Sequence, residues 1–361
     1  MVIICYHMNN KTIFYVGTSG TSGYAISTKN FIFNYLMSGY NVKYVPITSD
    51  NSRLNDNDLI TTEVNKCISN NYDSYDYFIC NYIPDHCVMY LNKYKQYLNN
   101  SNCKKILQTV WETSNLPPYW VNYLNNNEFD EIWVPSEFNK NIFIKSGVIK
   151  PIQIKKYLTY NLVNCQKKDE VIIPKYYQFG NRDITKTYNF YYISTWNDRK
   201  NNINTIKTFC ETFTQNDNVS LLMKTNYYEY SDDRTEYIKT EIQNILNSFE
   251  NPPNIVLFPD NYFTWEINNI HSLGDCYFLL HRGEGLGYAS YEAFLSHKPV
   301  IVTKYGGQFE YFSFNYPYFV DYNLVKVDGM KCTGFYQHNH EWAEPDYEHA
   351  KQLLKKIYEQ N

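Results

Sequence analysis

At 361 residues the chain is too long for one ordinary core, so two domains are expected. It is 43% hydrophobic and 19% charged, with 18% aromatics, which excludes a disordered chain. A formal net charge of −4 gives no electrostatic footprint for nucleic acid.

Short apolar runs alternate with amphipathic segments almost from end to end, the pattern of α/β architecture with parallel sheets. "KTIFYVG" (11–17) ends in glycine like a buried strand, and "GTSGTSG" (17–23) follows. The next segment suits a helix burying Ile26, Phe31, Phe33, Leu36 and Met37, ended by Gly39. "NVKYVPI" then completes a βαβ unit. Further strands are predicted at 75–82, 104–112, 129–136 and 151–158. Ser136 is placed to cap a helix that Gly147 ends. Residues 161–187 lose periodicity and read as a linker.

A second series starts with the strand "YNFYYIST" (188–195). Helix "NINTIKTFCETF", strand "VSLLMKT", helix "RTEYIKTEIQNILNSF" and strand "NIVLFP" follow. After these come "DCYFLLHR", a glycine-spaced turn, the helix "YASYEAFLS" and "KPVIVTKYGG". The expected architecture is α/β, with doubly wound domains over 1–160 and 188–345, a linker over 161–187, and a C-terminal helix within 346–361. In such folds ligands sit beyond the carboxyl ends of the strands, often in the cleft between domains.

Nine cysteines with no C-x-x-C pair, several inside apolar runs, read as free thiols in a reducing compartment. Neither a signal peptide nor a run near the ~18 apolar residues of a membrane span is present, so a cytoplasmic protein is expected. The 38 tyrosines accompany abundant asparagine and only five alanines, a codon bias of AT-rich DNA that says little about function.

"HRGEGLGYASYE" (281–292) follows a buried strand and opens a helix. Gly283, Gly285 and Gly287 allow a tight turn and close approach of a ligand, with Leu286 and Tyr288 beside them. Glu284 falls on the turn and Glu292 about one turn into the helix, so both carboxylates can serve one cleft. The helix N-terminus between them offers unpaired N–H groups to a pyrophosphate, and a carboxylate there suits ribose hydroxyls. Taken singly, each glutamate could instead be a solvated helix-start residue.

The stretch 284–307, with E-G-x-G, a second glutamate eight residues on, K-P-V-I and a later G-G, resembles the E-x7-E donor-site signature of retaining glycosyltransferases of family 4. Looser similarity runs through "WETSNLPPYW" (111–120), 129–148 and "WAEPD" (342–346). The resemblance implies the GT-B fold, two Rossmann-like domains facing a central cleft. It also implies hexosyl transfer, with retention, from a nucleoside-diphosphate sugar (UDP- or GDP-linked) to a glycan, lipid-linked or protein hydroxyl acceptor. Glu292 would hold the donor ribose, and Glu284 would lie beside the transferred sugar.

Sugar transfer builds charge on the departing diphosphate, which a metal or fixed cations must stabilise. Asp56-Asn57-Asp58 spells D-x-D in a polar loop away from the motif, so neither metal ligands nor a cofactor are expected. Arg199 and Lys200, after the first strand of the second half, and Lys224, at the end of the next, are the candidate cations. Lys200 matches the family's lysine, but Thr195 stands where its arginine belongs, and Arg199 is the candidate substitute. For Arg282 two readings stay open, a donor contact and a pairing with a neighbouring carboxylate.

In the first half, Gly20 and Thr21 belong to a loop expected to cover the diphosphate. Its G-x-x-G-x-x-G spacing and the absence of a carboxylate closing the next strand (Asp50 comes later) argue against a nicotinamide enzyme. Trp111 and Glu112 stand where the family has an acceptor-side histidine, with His86 as the alternative. A glutamate there could take the acceptor proton or form a structural ion pair. The acid-free run 138–156, with Lys140, Lys145, Lys150, Lys155 and Lys156, reads as a solvated face, with peripheral membrane contact as its second reading. A binding protein that has lost catalysis is the alternative function, and a nucleotide-sugar epimerase or dehydrogenase a weaker third. The oligomeric state has no signal in the sequence.

Overall fold

The computed structural model describes residues 10–47, 58–98, 102–156, 165–227, 232–330, 334–337 and 339–361. Cys5, Asp50, Asp56, Asn57 and Cys332 lie outside the described residues. The chain divides into two compact units, one of residues 1–111 and 115–160, the other of residues 112–114 and 161–361.

The first unit alternates strand and helix: β1 (Thr12–Thr18), α1 (Gly23–Met37), β2 (Asn41–Ile47), α2 (Leu59–Asn65), β3 (Tyr77–Asn81), α3 (Pro84–Lys93), α4 (Lys95–Leu98), β4 (Lys104–Gln108), α5 (Pro118–Asn126), β5 (Glu131–Val134), α6 (Glu137–Lys145) and β6 (Ile152–Ile154). The sheet runs β2-β1-β3-β4-β5-β6, and every pairing is parallel. β1 reads as an apolar run because both its faces are covered. Ser136 caps α6 as expected, accepting from the Asn139 N–H at 3.1 Å.

The α1 face that packs on the sheet departs from the expected one. Phe31 and Phe33 are buried, but Ile26, Leu36 and Met37 are half-exposed, and Ala25, Ser27, Thr28 and Asn30 are buried instead. The Asn81 amide on β3 donates to the hydroxyls of Ser27 and Thr28 at 3.1 and 3.2 Å. A Cβ at Gly17 would lie 2.4 Å from Thr28 Oγ1, so α1 rides unusually close to β1 through small polar side chains. Asp58, the third residue of the D-x-D, caps α2 by accepting from the Thr61 N–H at 2.9 Å.

The second unit contains β7 (Tyr177–Phe179), β8 (Tyr188–Thr195), α7 (Asn202–Thr212), β9 (Val219–Asn226), α8 (Asp232–Leu246), β10 (Asn254–Phe258), α9 (Thr264–Leu273), β11 (Cys276–Leu279), α10 (Tyr288–Leu295), β12 (Val300–Thr303), β13 (Phe319–Val320), β14 (Tyr322–Lys326), β15 (Glu341–Pro345) and α11 (Tyr347–Glu359). Its main sheet runs β13-β12-β11-β8-β9-β10-β7 and is parallel except for β7, which pairs antiparallel with β10. The stretch read as a linker thus supplies an edge strand. β14 and β15 form a separate antiparallel ribbon. α11 buries Ala350, Leu353, Leu354 and Ile357, one stripe at helical spacing, in the same core as Phe209, Ile301 and Val320.

The strand order brings two loops together. Chain order runs outward from β8 through β9 to β10, then returns to β11 on the other side of β8. The loops leaving β8 and β11 therefore diverge from adjacent strands, the switch point at which doubly wound sheets bind ligands.

Candidate functional site

The loop after β8 carries Arg199 and Lys200, and the turn after β11 carries Glu284. Asn201, at φ 56°, joins the two loops, its amide donating to the Leu280 carbonyl at 2.9 Å. The Arg282 N–H donates to the Arg199 carbonyl at 2.7 Å. Lys200 Nζ donates to Glu284 Oε1. Arg199 Nη1 donates to the Gly283 carbonyl at 2.6 Å and lies 3.7 Å from Glu284 Oε2. Arg199 Nη2 lies 3.5 Å from Glu112 Oε1, and the Tyr336 hydroxyl donates to Glu112 Oε2 at 3.1 Å. Two cations and two carboxylates thus share one buried cluster of zero net charge.

The glycines of the turn are required by backbone proximity. A Cβ at Gly283 would sit 2.2 Å from the Glu112 carbonyl oxygen, and one at Gly307 would sit 1.9 Å from that of Gly285. The Gly307 N–H donates to the Glu284 carbonyl at 2.8 Å. The G-G after β12 therefore clamps the turn that carries Glu284. Gly287, at φ 82°, opens α10 without a capping side chain. The α10 N-terminus, the positive end of the helix dipole, thereby follows the turn directly.

Burial works against an ionised Glu284, but Lys200, Arg199 and His281 outweigh it and hold the carboxyl down at about 2. Burial dominates at Lys200 and lowers its pKa, with Glu284 opposing. At Arg199 burial also lowers the pKa, but Glu112, Tyr336 and Glu284 more than offset it. His281 is lowered from 6.5 to about 4, first by burial and then by Lys200 and Arg199, with Glu284 opposing. Its Nδ1 has no hydrogen-bond partner among the described residues.

Both depressed groups bind protons more readily in the unfolded chain, so stability rises with pH across their windows. The His281 contribution is complete above 6.5 and lost as pH falls through about 4. The Glu284 contribution is complete above 4.5 and lost as pH falls through about 2. Urea midpoints are expected to fall already between about pH 6.5 and pH 4.5, and His281→Gln to flatten that upper step alone. A midpoint constant over that interval in the unaltered protein would contradict this account.

Glu292, on α10, accepts from His271 Nε2 at 3.3 Å. Its carboxylate and that of Glu284 both act on the Tyr277 hydroxyl, raising a pKa that burial raises most. Lys224 lies two residues before the end of β9, its Nζ 2.8 Å from Asn226 Oδ1. Arg282 forks onto Glu344, with Nε at 2.6 Å and Nη2 at 3.1 Å, and its guanidinium lies 4.9 Å from the centre of the Trp342 ring. A pairing of Arg282 with a neighbouring carboxylate is thus present. Leu286 is buried, and Tyr288 is the first residue of α10.

In the first unit, Gly20 (φ 101°) has open space where a Cβ would be, and Thr21 is exposed. Trp111 is buried, its indole N–H donating to the Asn115 carbonyl at 2.6 Å and its ring set edge-on to Trp120. His86 is partly exposed, 3.3 Å from Asp85 and edge-on to Tyr82. Within the basic run, Lys150 donates to the Asn127 carbonyl at 2.7 Å and to that of Phe129. Lys155 lies over the Trp133 ring at 4.6 Å.

Tyr336 and Glu344 escaped the sequence reading. Tyr336 sits in a polar loop without periodicity, and Glu344 lies in "WAEPD", a segment singled out there without a role. Among the described residues no three His, Cys, Asp or Glu side chains are grouped to hold a metal ion, and no helix is long and apolar enough to cross a membrane.

No family model matches the chain, and no curated protein sequence does. Solved structures do match. Sucrose-phosphate synthase from Thermosynechococcus elongatus is 13% identical, over 96% of this chain and 89% of that one, at a TM-score of 0.61. An E. coli structure described as "Trehalose-6-phosphate" bound with UDP-2-fluoro glucose is 8% identical, over 83% and 86%, at 0.55. A UDP-forming alpha,alpha-trehalose-phosphate synthase from Burkholderia xenovorans is 11% identical, over 83% and 85%, at 0.53. The chain has the GT-B fold, two Rossmann-like α/β domains in succession.

Proposed function

We propose that the chain is a glycosyltransferase, moving a sugar from a nucleoside-diphosphate sugar to a hydroxyl acceptor. The observation that carries this reading is the cluster of Arg199, Lys200 and Glu284 at the switch point of the second sheet, beside the α10 N-terminus. The names of the similar structures, two of which mention UDP, agree with it.

The bond from the anomeric carbon to the phosphate oxygen breaks, the acceptor oxygen bonds to that carbon, and the acceptor proton passes to the departing phosphate. Same-face attack with retention fits a site in which Glu284 is committed to two cations and is a poor nucleophile. Negative charge grows on the diphosphate, and Arg199, Lys200 and the α10 N–H groups are the fixed positive groups that would meet it. The proposed chemistry needs neither a metal nor a cofactor. Glu292 would bind the donor ribose, as the family 4 resemblance implies, and Lys224 would stand at the same sheet edge. Glu112 fits a structural ion pair better than an acceptor-side base, because both its oxygens are engaged.

Thr195, where the resemblance calls for arginine, favours one second reading: a protein that binds sugar nucleotides without turnover. Incubation with UDP-, GDP- and ADP-sugars, with thermal shift against the free diphosphates, separates the two. Release of nucleoside diphosphate is the expected result. Binding without release favours the second reading, and no response to any of the nucleotides overturns both.

A further inference from the structure

His271 lies in the last turn of α9, deep in the second unit, with no exposed side-chain surface. Its two ring nitrogens face different partners: Nδ1 is 2.8 Å from the Tyr191 hydroxyl and Nε2 is 3.3 Å from Glu292 Oε2. A neutral imidazole has one donor and one acceptor nitrogen. A carboxylate only accepts, so the proton belongs on Nε2 and Nδ1 must accept from the tyrosine.

Tyr191 is built for that task. Burial pushes its pKa far up, with Tyr277 adding to the effect, so the hydroxyl remains a donor. A Cβ at Gly274 would lie 2.0 Å from Tyr191 Cδ1, so the ring lies flat on that glycine with its direction fixed. The chain Tyr191, His271, Glu292 thus connects β8, α9 and α10 and ends at the carboxylate expected to meet the nucleotide.

We propose that His271 and Tyr191 are positioning residues for the nucleotide site, the imidazole being held in the Nε2–H tautomer and fixing the Glu292 carboxylate for the donor ribose. This rests on the role given to Glu292 above. Neither residue touches the nucleotide. Their effect passes through Glu292, which distinguishes them from core residues that only fill space.

The test titrates UDP, GDP and ADP calorimetrically and follows the tightest through a set of variants. Glu292→Gln is expected to weaken binding about tenfold or more, and His271→Leu about tenfold. Tyr191→Phe, which removes only the hydroxyl, should weaken it about threefold, and His271→Gln, which keeps an N–H near Nε2, should stay within about threefold of wild type. In the Glu292→Gln background, His271→Leu should add less than about twofold, because the carboxylate it positions is gone. Equal losses from His271→Leu in both backgrounds, or undiminished binding by Tyr191→Phe and His271→Leu, would overturn the proposal and leave the site reading intact. Unchanged binding by Glu292→Gln would overturn the site reading itself. Should His271→Leu fail to fold, Tyr191→Phe with and without Glu292→Gln carries the same comparison.

Discussion

Replacing Arg199 with methionine should cost about 3–5 kcal/mol of folding stability at neutral pH. The side chain is buried between two carboxylates, Glu112 and Glu284, and its removal leaves only Lys200 among them. An unpaired buried charge retains its desolvation penalty and loses its compensation, whereas removing charge from both sides restores balance. Equilibrium urea unfolding should therefore show a large loss for Arg199→Met and a substantial recovery when Glu112→Gln is added. The paired comparison matters because methionine also changes packing, a loss that Glu112→Gln would not repair. A loss under about 1 kcal/mol would mean that water reaches the cluster and screens it. This expectation concerns the fold alone and stands whatever the chain catalyses.

Replacing Glu284 with glutamine should lower turnover of a sugar nucleotide about 10²–10³-fold, the scale seen when one fixed electrostatic contact is lost from an active site. Nucleotide affinity should not fall with it. Glu284 occupies Lys200, and the glutamine amide is a weaker partner, so the freed ammonium can turn to the diphosphate. The expected signature is a diphosphate Kd unchanged or tightened, together with the loss of turnover. If affinity and turnover fell together, Glu284 would be organising the turn rather than acting on the reacting sugar. Equilibrium binding of the free diphosphate, set beside initial rates, separates the two outcomes.

The sequence was most legible where one signal governs the local structure. β2 and β8 match the expected strands residue for residue, and α10 opens at Tyr288, because apolar runs bounded by glycine and polar residues leave few alternatives. Glu284 and Arg199, 85 positions apart, could be assigned to one sheet edge before any coordinates, since each follows the carboxyl end of a strand expected to be parallel. Illegible were the features that depend on partners distant in the chain. The preference of Arg282 for Glu344, across 62 positions, leaves no local trace. α9 was missed because its buried residues include Asn269, His271 and Ser272, whose polarity reads as a loop until their partners are known. The strand predicted over 104–112 ends at Gln108, with one further bond from the Thr109 N–H to the Trp133 carbonyl at 3.0 Å, and the unbroken run through Val110 carries no local signal of where the ladder stops. β7, three residues long, is too short for any periodic signal.

Residues 112–114 carry a consequence for dissecting the molecule. Besides Glu112 against Arg199, Ser114 exchanges hydrogen bonds with Glu341: its N–H donates to the Glu341 carbonyl at 2.9 Å, and its hydroxyl accepts from the Glu341 N–H at 2.8 Å. A fragment beginning at residue 161 would contain the whole second sheet and still lack these atoms. It would place Arg199 and Lys200 against a single carboxylate and remove the two Ser114 hydrogen bonds from Glu341 at the start of β15. The second unit is thus discontinuous in sequence, and a fragment of it made without residues 112–114 should unfold at a lower urea concentration than the same unit in the whole chain.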